Sequence, residues 1–399
     1  MPTTSAHGVA ARAAPARFIH LDFLRGVAAL IVTAGHLRHF LFETYANMAA
    51  AGVQVGLFWK AFYFISGLSH ESVIAFFALS GFLVGGKVLS DLRRDRFSWI
   101  TFLLRRFSRL WIVILPTLAL TFLFDRLGVA FSDGALYAGN YYKIYSSGPD
   151  GVSDLKLTTF LGNILFLQKI FVPTYGTNTP MWSLANEFWY YIFFAAAFWA
   201  LLRRSAVSIL VGLPLAAGVA LLVPTYFYEG AGIWLAGACS AWIAQERSFH
   251  RVLADWRVRV ACLAIAAAGI VLTKAVPDHM SDLALGLMIS VALPALAHTR
   301  SSSRAYDATA KWLSDISYTL YLTHMPLVVA IVAIVFAPQR SVPNIGQFGI
   351  FLLLLTICLI WARAVWHVFE RNTDVVYASL SKTFSGPAVR LSTRGEPSP

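Results

Sequence analysis

Residues 21–40 read LDFLRGVAALIVTAGHLRHF. A bilayer core takes roughly 20 consecutive apolar residues as a helix, and this stretch has that length. It also carries Arg25 and His36, which cost several kcal/mol at membrane depth unless solvated or paired. They are eleven positions apart. At about 100° per residue, eleven steps return to within about 20° of the starting face, and a rise of about 1.5 Å each separates them by about 16 Å. One helix face thus presents a guanidinium near its start and an imidazole deeper in. The pair fits either a structural role, with Arg25 snorkelling to the interface and His36 a core hydrogen bonder, or a functional one. An extended phosphopantetheine arm has a similar length, so the guanidinium could grip a coenzyme phosphate while the imidazole meets the thioester.

The rest of the chain repeats the pattern. Of 399 residues, 58% are hydrophobic and only 13% charged, half the charge of an ordinary soluble domain. No single soluble core could hide so many apolar runs, and an all-α integral membrane protein follows. Spans are predicted at 21–42, 71–90, 106–127, 182–202, 206–224, 228–245, 258–276, 281–299, 312–337 and 346–368. The run 158–172 (TTFLGNILFLQKIFV) is shorter, holds Lys169 and reads as a re-entrant or interfacial helix.

The net charge of +12 suggests nucleic acid at first sight, but it sorts by membrane side. With ten spans and both termini cytoplasmic, the outer segments hold only Lys60, Lys143, Lys156, Lys274 and Arg340. The inner ones hold Arg93, Arg94, Arg96, Arg105, Arg106, Arg109 and most other cations. Counting 158–172 as a span destroys this bias. About ten transmembrane helices, a multi-pass protein of a bacterial inner (cytoplasmic) membrane and no nucleic-acid partner are expected. Residues 1–17 read as a disordered cytoplasmic tail, 18–372 as the membrane domain and 373–399 as a second disordered cytoplasmic tail. No cleavable h-region precedes Leu21, so the first span is expected to act as an uncleaved anchor. Two longer outer loops, 43–70 and 128–157, join spans; the second is rich in Tyr, Gly and Ser, which suits sugar contact or an ordinary headgroup-level loop. Cys239, Cys262 and Cys358 lie in apolar runs without CxxC spacing and read as small hydrophobes, with no metal expected. Gly81, Gly85 and Gly86 could pack helices within the subunit or in a homodimer.

Three further polar groups stand out. Glu187 lies in MWSLANEFWYY beside Trp182, Ser183 and Asn186, with Ser183, Glu187 and Tyr191 on one helical face. It could orient an imidazolium, bind a sugar hydroxyl or pair with an arginine such as Arg25. His324 lies in ISYTLYLTHMPL, where Ser317 and Tyr321 share its face and Tyr318 is adjacent; Pro326 frees backbone carbonyls. The cluster Arg93, Arg94, Arg105, Arg106 and Arg109 is a topogenic signal that could also cradle an adenosine phosphate.

These groups occur in an order that resembles the membrane-bound acyltransferase-3 family of sugar and polysaccharide O-acyltransferases. The carriers are Arg25-x10-His36, FFALSGFL at Phe76–Leu83, RRFSRLWIVILP at Arg105–Pro116, WSLANE at Trp182–Glu187 and SYTLYLTHMP at Ser317–Pro326, covering residues 18–371. The resemblance implies acyl transfer from cytoplasmic acyl-CoA, acetyl-CoA by family frequency, to a hydroxyl of a glycan or glycolipid at the outer face. It implies that Arg25 and His36 are essential and that Glu187 and His324 match further motif positions. The chain departs from many relatives at His70, Glu71 and Ser72 and at the end of the last span, which bears on the acceptor rather than the fold. The expected chemistry has His36 as base or acyl carrier, Arg25 on phosphate or developing negative charge, Glu187 orienting His36 or the acceptor, and His324, Tyr318 and Tyr321 on the acceptor side. A transporter or flippase, which also uses intramembrane ionisable groups, is the rival, disfavoured by the lack of an inverted repeat. An acyltransferase for a lipid or small hydrophobic acceptor is a third reading.

Overall fold

A computed structural model describes residues 18–138, 155–275, 281–299, 301–336 and 340–384. Among them the chain is all helical. In order the helices are α1 (Ile19–Leu41), α2 (Tyr45–Ala50), α3 (Leu57–Ser66), α4 (Ser69–Ser80), α5 (Gly86–Arg93), α6 (Trp99–Phe131), α7 (Leu157–Ile164) and α8 (Met181–Arg203). Then follow α9 (Ala206–Leu222), α10 (Phe227–Gln245), α11 (Arg247–Ala254), α12 (Trp256–Ala275), α13 (Asp282–His298), α14 (Arg304–Ile331), α15 (Ile345–Val368) and α16 (Thr373–Phe384).

Each predicted span coincides with a helix, α4 and α5 forming one through a π turn at Gly81–Gly85. In five stretches the helix is both long and apolar enough to cross a membrane: Leu57–Arg93, Trp99–Phe131, Trp256–Ala275, Arg304–Phe336 and Ile345–Phe384. α9 and α13 are apolar but shorter. The starts follow local chemistry: Ser98, Ser205, Ser281, Ser303 and Asn344 each accept a backbone N–H from the first turn of α6, α9, α13, α14 and α15, satisfying donors that a helix start leaves open.

Two expectations change, and one alternative is decided. The predicted loop 43–70 contains α2 and α3, because LFWKAFYFIS is itself an apolar helical run. The tail called disordered from residue 373 begins as α16, which packs on α6 and places Tyr377 under the Arg105 guanidinium, 4.5 Å from ring centre to Cζ; residues 1–17 and 385–399 lie outside the described residues. The glycine face packs inside the subunit: a Cβ at Gly81 would strike the backbone of Trp234 on α10, one at Gly237 the backbone of Ala78, and Gly85 and Gly86 face Ala238 and Ala241. That close approach uses up the surface offered above for a homodimer.

α1 is central. It packs along α14 and against α4 and α15. Arg25 meets Ser314 and His36 meets His324, so α1 and α14 run parallel. Ser69 at the start of α4 reaches the carbonyl of Ile31 just past the middle of α1 (3.4 Å), and Gln347 at the start of α15 reaches that of Leu41 at its end (3.1 Å), so both run antiparallel to α1. The stretch 158–172 is the short helix α7 followed by non-helical backbone, with Phe166 and Lys169 at positive φ. Such backbone at membrane depth must be satisfied by protein. Asn163 does this, donating to the carbonyls of Thr159 (2.8 Å) and Pro173 (3.0 Å) and accepting from Tyr175 N–H (3.1 Å).

Candidate active site

The packed pair α1 and α14 brings together polar groups at two levels. At the first, Arg25 donates to the carbonyl of Ser314 (3.2 Å) and to its hydroxyl; that hydroxyl donates to Asp22 (2.8 Å), whose carboxylate lies 3.5 Å from the guanidinium. Gly26 allows this contact, since a Cβ there would collide with Leu313. Arg25 is therefore held in place rather than left to snorkel, with about a quarter of its side chain (23%) still exposed.

At the second level, His36 Nδ1 lies 2.7 Å from His324 Nε2, with the rings nearly parallel (11°) and their centres 5.1 Å apart. His324 Nδ1 lies 2.8 Å from the carbonyl oxygen of Leu320. A carbonyl only accepts, so His324 carries its proton on Nδ1. With both rings neutral its Nε2 must accept, and His36 must donate from Nδ1. The hydrogen-bond chain thus leaves the lone pair of His36 on Nε2. His324, at 1% exposure, is sealed in the protein, whereas His36 is partly exposed.

A cavity of about 250 Å³ lies among α1, α4, α6, α8 and α14. Its polar wall is Arg25, Arg106, Arg109, Ser183, Glu187, Tyr191, Ser317, Tyr318 and Tyr321, all singled out in the sequence, with Ser80 added. A second cavity of about 660 Å³ is lined by Lys87, Arg94, Arg96, Arg105 and Arg106, and shares Leu83, Val84 and Arg106 with the first. A basic chamber between α5 and α6 therefore adjoins a mainly apolar one bounded by tyrosines.

The residues in this arrangement belong to one family. A family model described as an acyltransferase domain matches residues 18–364. The chain belongs to the membrane acyltransferase-3 family. No curated protein and no solved structure gives a match.

In this membrane acyltransferase some expected residues stand elsewhere. Arg93 points away from both cavities, paired with Glu246 (2.8 Å) and stacked on Trp242 (4.9 Å). Trp182 packs edge-on against Phe77 (6.2 Å) and Asn186 is buried; neither lines the cavity. Glu187 accepts from Tyr191 and faces the cavity, so the group that orients His36 is His324, not Glu187. The histidine pair stands outside the cavity lining. Tyr321 links the two: it lines the cavity, hydrogen-bonds Ser183 (2.6 Å), and has its ring centre 6.4 Å from that of His324. Phe76, also in the lining, packs edge-on against Tyr321 (5.6 Å).

The acyltransferase also has supporting residues that the sequence reading passed over. Asn178 Nδ2 donates to the carbonyl of Leu322 (2.8 Å). Pro326 has no N–H, so that carbonyl, four residues earlier, lacks its helical partner; this signal was present in the sequence. Asp125, fully buried on α6, accepts from the backbone (2.8 Å) and hydroxyl (2.6 Å) of Thr177. Gly176, at φ 55°, lets the carboxylate approach where a Cβ would clash. Thr319 donates to the buried Glu370 (2.6 Å).

Proposed function

We propose that this membrane acyltransferase carries an acyl group, acetyl by default, from cytoplasmic acyl-CoA to a hydroxyl of a glycan or glycolipid at the outer face of a bacterial inner membrane. The observation that carries this reading is the succession of a basic chamber, an adjoining apolar cavity and a histidine whose Nε2 is left as an acceptor. Arg94, Arg96 and Arg105 suit the coenzyme phosphates, and the apolar cavity suits the pantetheine arm. Arg25, held by Asp22 and Ser314, faces the cavity and suits phosphate or developing negative charge.

His36 Nε2 takes the proton from the acceptor hydroxyl as its oxygen attacks the thioester carbonyl. The C–S bond then breaks, and the proton passes to the departing thiolate. His324 holds the Nδ1–H of His36 throughout, fixing the tautomer and sharing the charge on the imidazolium. The same nitrogen would serve if His36 were first acylated and then passed the group on. Ten crossings with both termini cytoplasmic fit the packing: parallel α1 and α14 need an odd number of crossings between them, and the predicted spans between them supply seven. A hydrophobic acceptor has one observation in its favour, an apolar groove of about 320 Å³ among α1, α3 and α15.

Radiolabelled acetyl-CoA supplied to inverted membrane vesicles tests the reading. Label should enter carbohydrate or lipid with the wild type and be lost with His36→Ala and with Arg25→Ala. No transfer from acetyl-CoA or longer acyl-CoAs, with folded protein and native acceptors present, would overturn it.

A further inference from the structure

Between α1, α4, α12 and α13 lies a cavity of about 280 Å³ whose walls are almost wholly apolar. Alanines such as Ala28, Ala75, Ala267 and Ala292 leave space that larger side chains would fill. α1 contributes Leu24 to Ile31, α12 Leu263 to Ile270 and α13 Ile289 to Leu296. Each stretch covers about two helical turns, so at about 1.5 Å per residue the cavity is a slot about 10 Å long. Leu263 and Ala267 line it and are also exposed. The slot therefore opens beside α12, one of the helices long and apolar enough to cross a membrane. An apolar cavity of about 150 Å³ stays dry and takes benzene, so this larger one suits an apolar guest rather than water.

The polar group stands at one end of the slot. Glu71 is the one charged residue among its described walls, with a side chain 8% exposed. It lies at the end marked by Ile31 and Ile270. Ser69, just before it on α4, reaches the Ile31 carbonyl (3.4 Å), and Lys274, one turn beyond Ile270, pairs with Glu71 Oε1 (2.6 Å). Thr273 donates to the same oxygen (3.0 Å). The second oxygen, Oε2, is buried with no hydrogen-bond partner among the described residues. A buried carboxylate oxygen is costly to leave without a donor. Ser72, the other polar wall residue, directs its hydroxyl to the Leu68 carbonyl (2.8 Å). One donor is missing. A cation does not suit the place, because Lys274 already balances Glu71 and a second positive charge would stand unpaired in an apolar slot.

We infer that this slot binds an uncharged, hydroxyl-headed apolar chain, its O–H donating to Glu71 Oε2 and its body lying among α1, α12 and α13. A free alcohol has this chemistry, and so does a membrane lipid ending in a hydroxyl, whose longer chain leaves through the opening beside α12. The site stands apart from the transfer chemistry proposed above. Among the described residues it shares no wall with the cavity of Arg25 and Glu187, and neither His36 nor His324 lines it.

The test is photolabelling of the full chain in phosphatidylcholine nanodiscs with an octanol that carries a diazirine at the end away from its hydroxyl. Mass spectrometry maps the labelled residues, which should cluster at the far end of the slot around Leu24, Leu263 and Leu296. 1-Octanol should displace the label at a concentration at least roughly tenfold lower than methyl octyl ether, which lacks the donor, or octylamine, which adds a charge. Geranylgeraniol in the disc separates the sources. Displacement by it assigns the slot to a lipid, and displacement by 1-octanol alone assigns it to a short free alcohol; the site stands in both cases. Ala292→Leu, which fills the slot, should abolish the label; where it lowers the folded yield, the ligand series on the wild type decides. Equal displacement by the ether, label spread evenly over the lipid-facing helices, or label that survives in folded Ala292→Leu would overturn the site.

Discussion

Asn178 donates its side-chain amide to the carbonyl of Leu322, across 2.8 Å, at the point where Pro326 interrupts the hydrogen bonding of α14. His324 lies between Leu322 and Pro326. The segment before α8 thus mends the broken turn that carries the partner of His36.

Replacing Asn178 with Leu should leave that carbonyl buried and unsatisfied, at a cost of about 1–3 kcal/mol. Unfolding midpoints in detergent would show the loss, and transfer should fall with it, because the turn holding His324 is loosened. A variant with wild-type stability and activity would remove Asn178 from this role.

His324→Phe should lower kcat by roughly a hundredfold or more, the usual scale for disabling an acid–base group, with KM for acyl-CoA little changed. His324→Gln retains an acceptor for the His36 Nδ1–H and should recover part of the rate. Steady-state kinetics in proteoliposomes separates the two variants; equal activities would argue against tautomer control.

Charge removal should divide the basic cluster. Arg94→Gln and Arg105→Gln line the basic chamber and should each raise KM for acyl-CoA roughly tenfold, as expected for one charge-assisted hydrogen bond. Arg93→Gln should not, because Arg93 is engaged with Glu246 and Trp242. An equal rise for all three would mean that general surface charge, not the chamber, attracts the coenzyme.

Gly81→Val should destabilise the protein by more than the about 1–3 kcal/mol typical of overpacking, since the clash is with the backbone of α10 rather than a movable side chain. Gly134→Ala has open space but a φ of 71° and should cost only about 1 kcal/mol in backbone strain. Comparing folded yield and unfolding midpoint for the two tests the close approach of α4 and α10.

Much of the architecture was legible because bilayer chemistry is strict. Apolar length marked the helices, and serine or asparagine marked several of their starts. Helical spacing put Ser183, Glu187 and Tyr191 on one face, which the cavity confirms. What stayed hidden depends on packing between distant segments. Spacing within α1 could present His36 but not choose between Glu187 and His324 as its partner. Arg93 and Arg94 are neighbours in sequence, yet only the approach of α10 and α11 diverts Arg93. Asp125 was overlooked near the end of an apolar run; its partner Thr177 comes from a segment with no regular periodicity.

The contact between His36 and His324 joins residues 288 positions apart in the chain. During synthesis the first helix enters the bilayer long before the fourteenth leaves the ribosome. Until then the imidazole lacks the partner that sets its proton, and Arg25 lacks Ser314. Closing so long a loop comes late in folding. On the proposed function, a nascent or truncated chain therefore holds only half of the transfer site, and acyl transfer waits until the whole bundle is assembled.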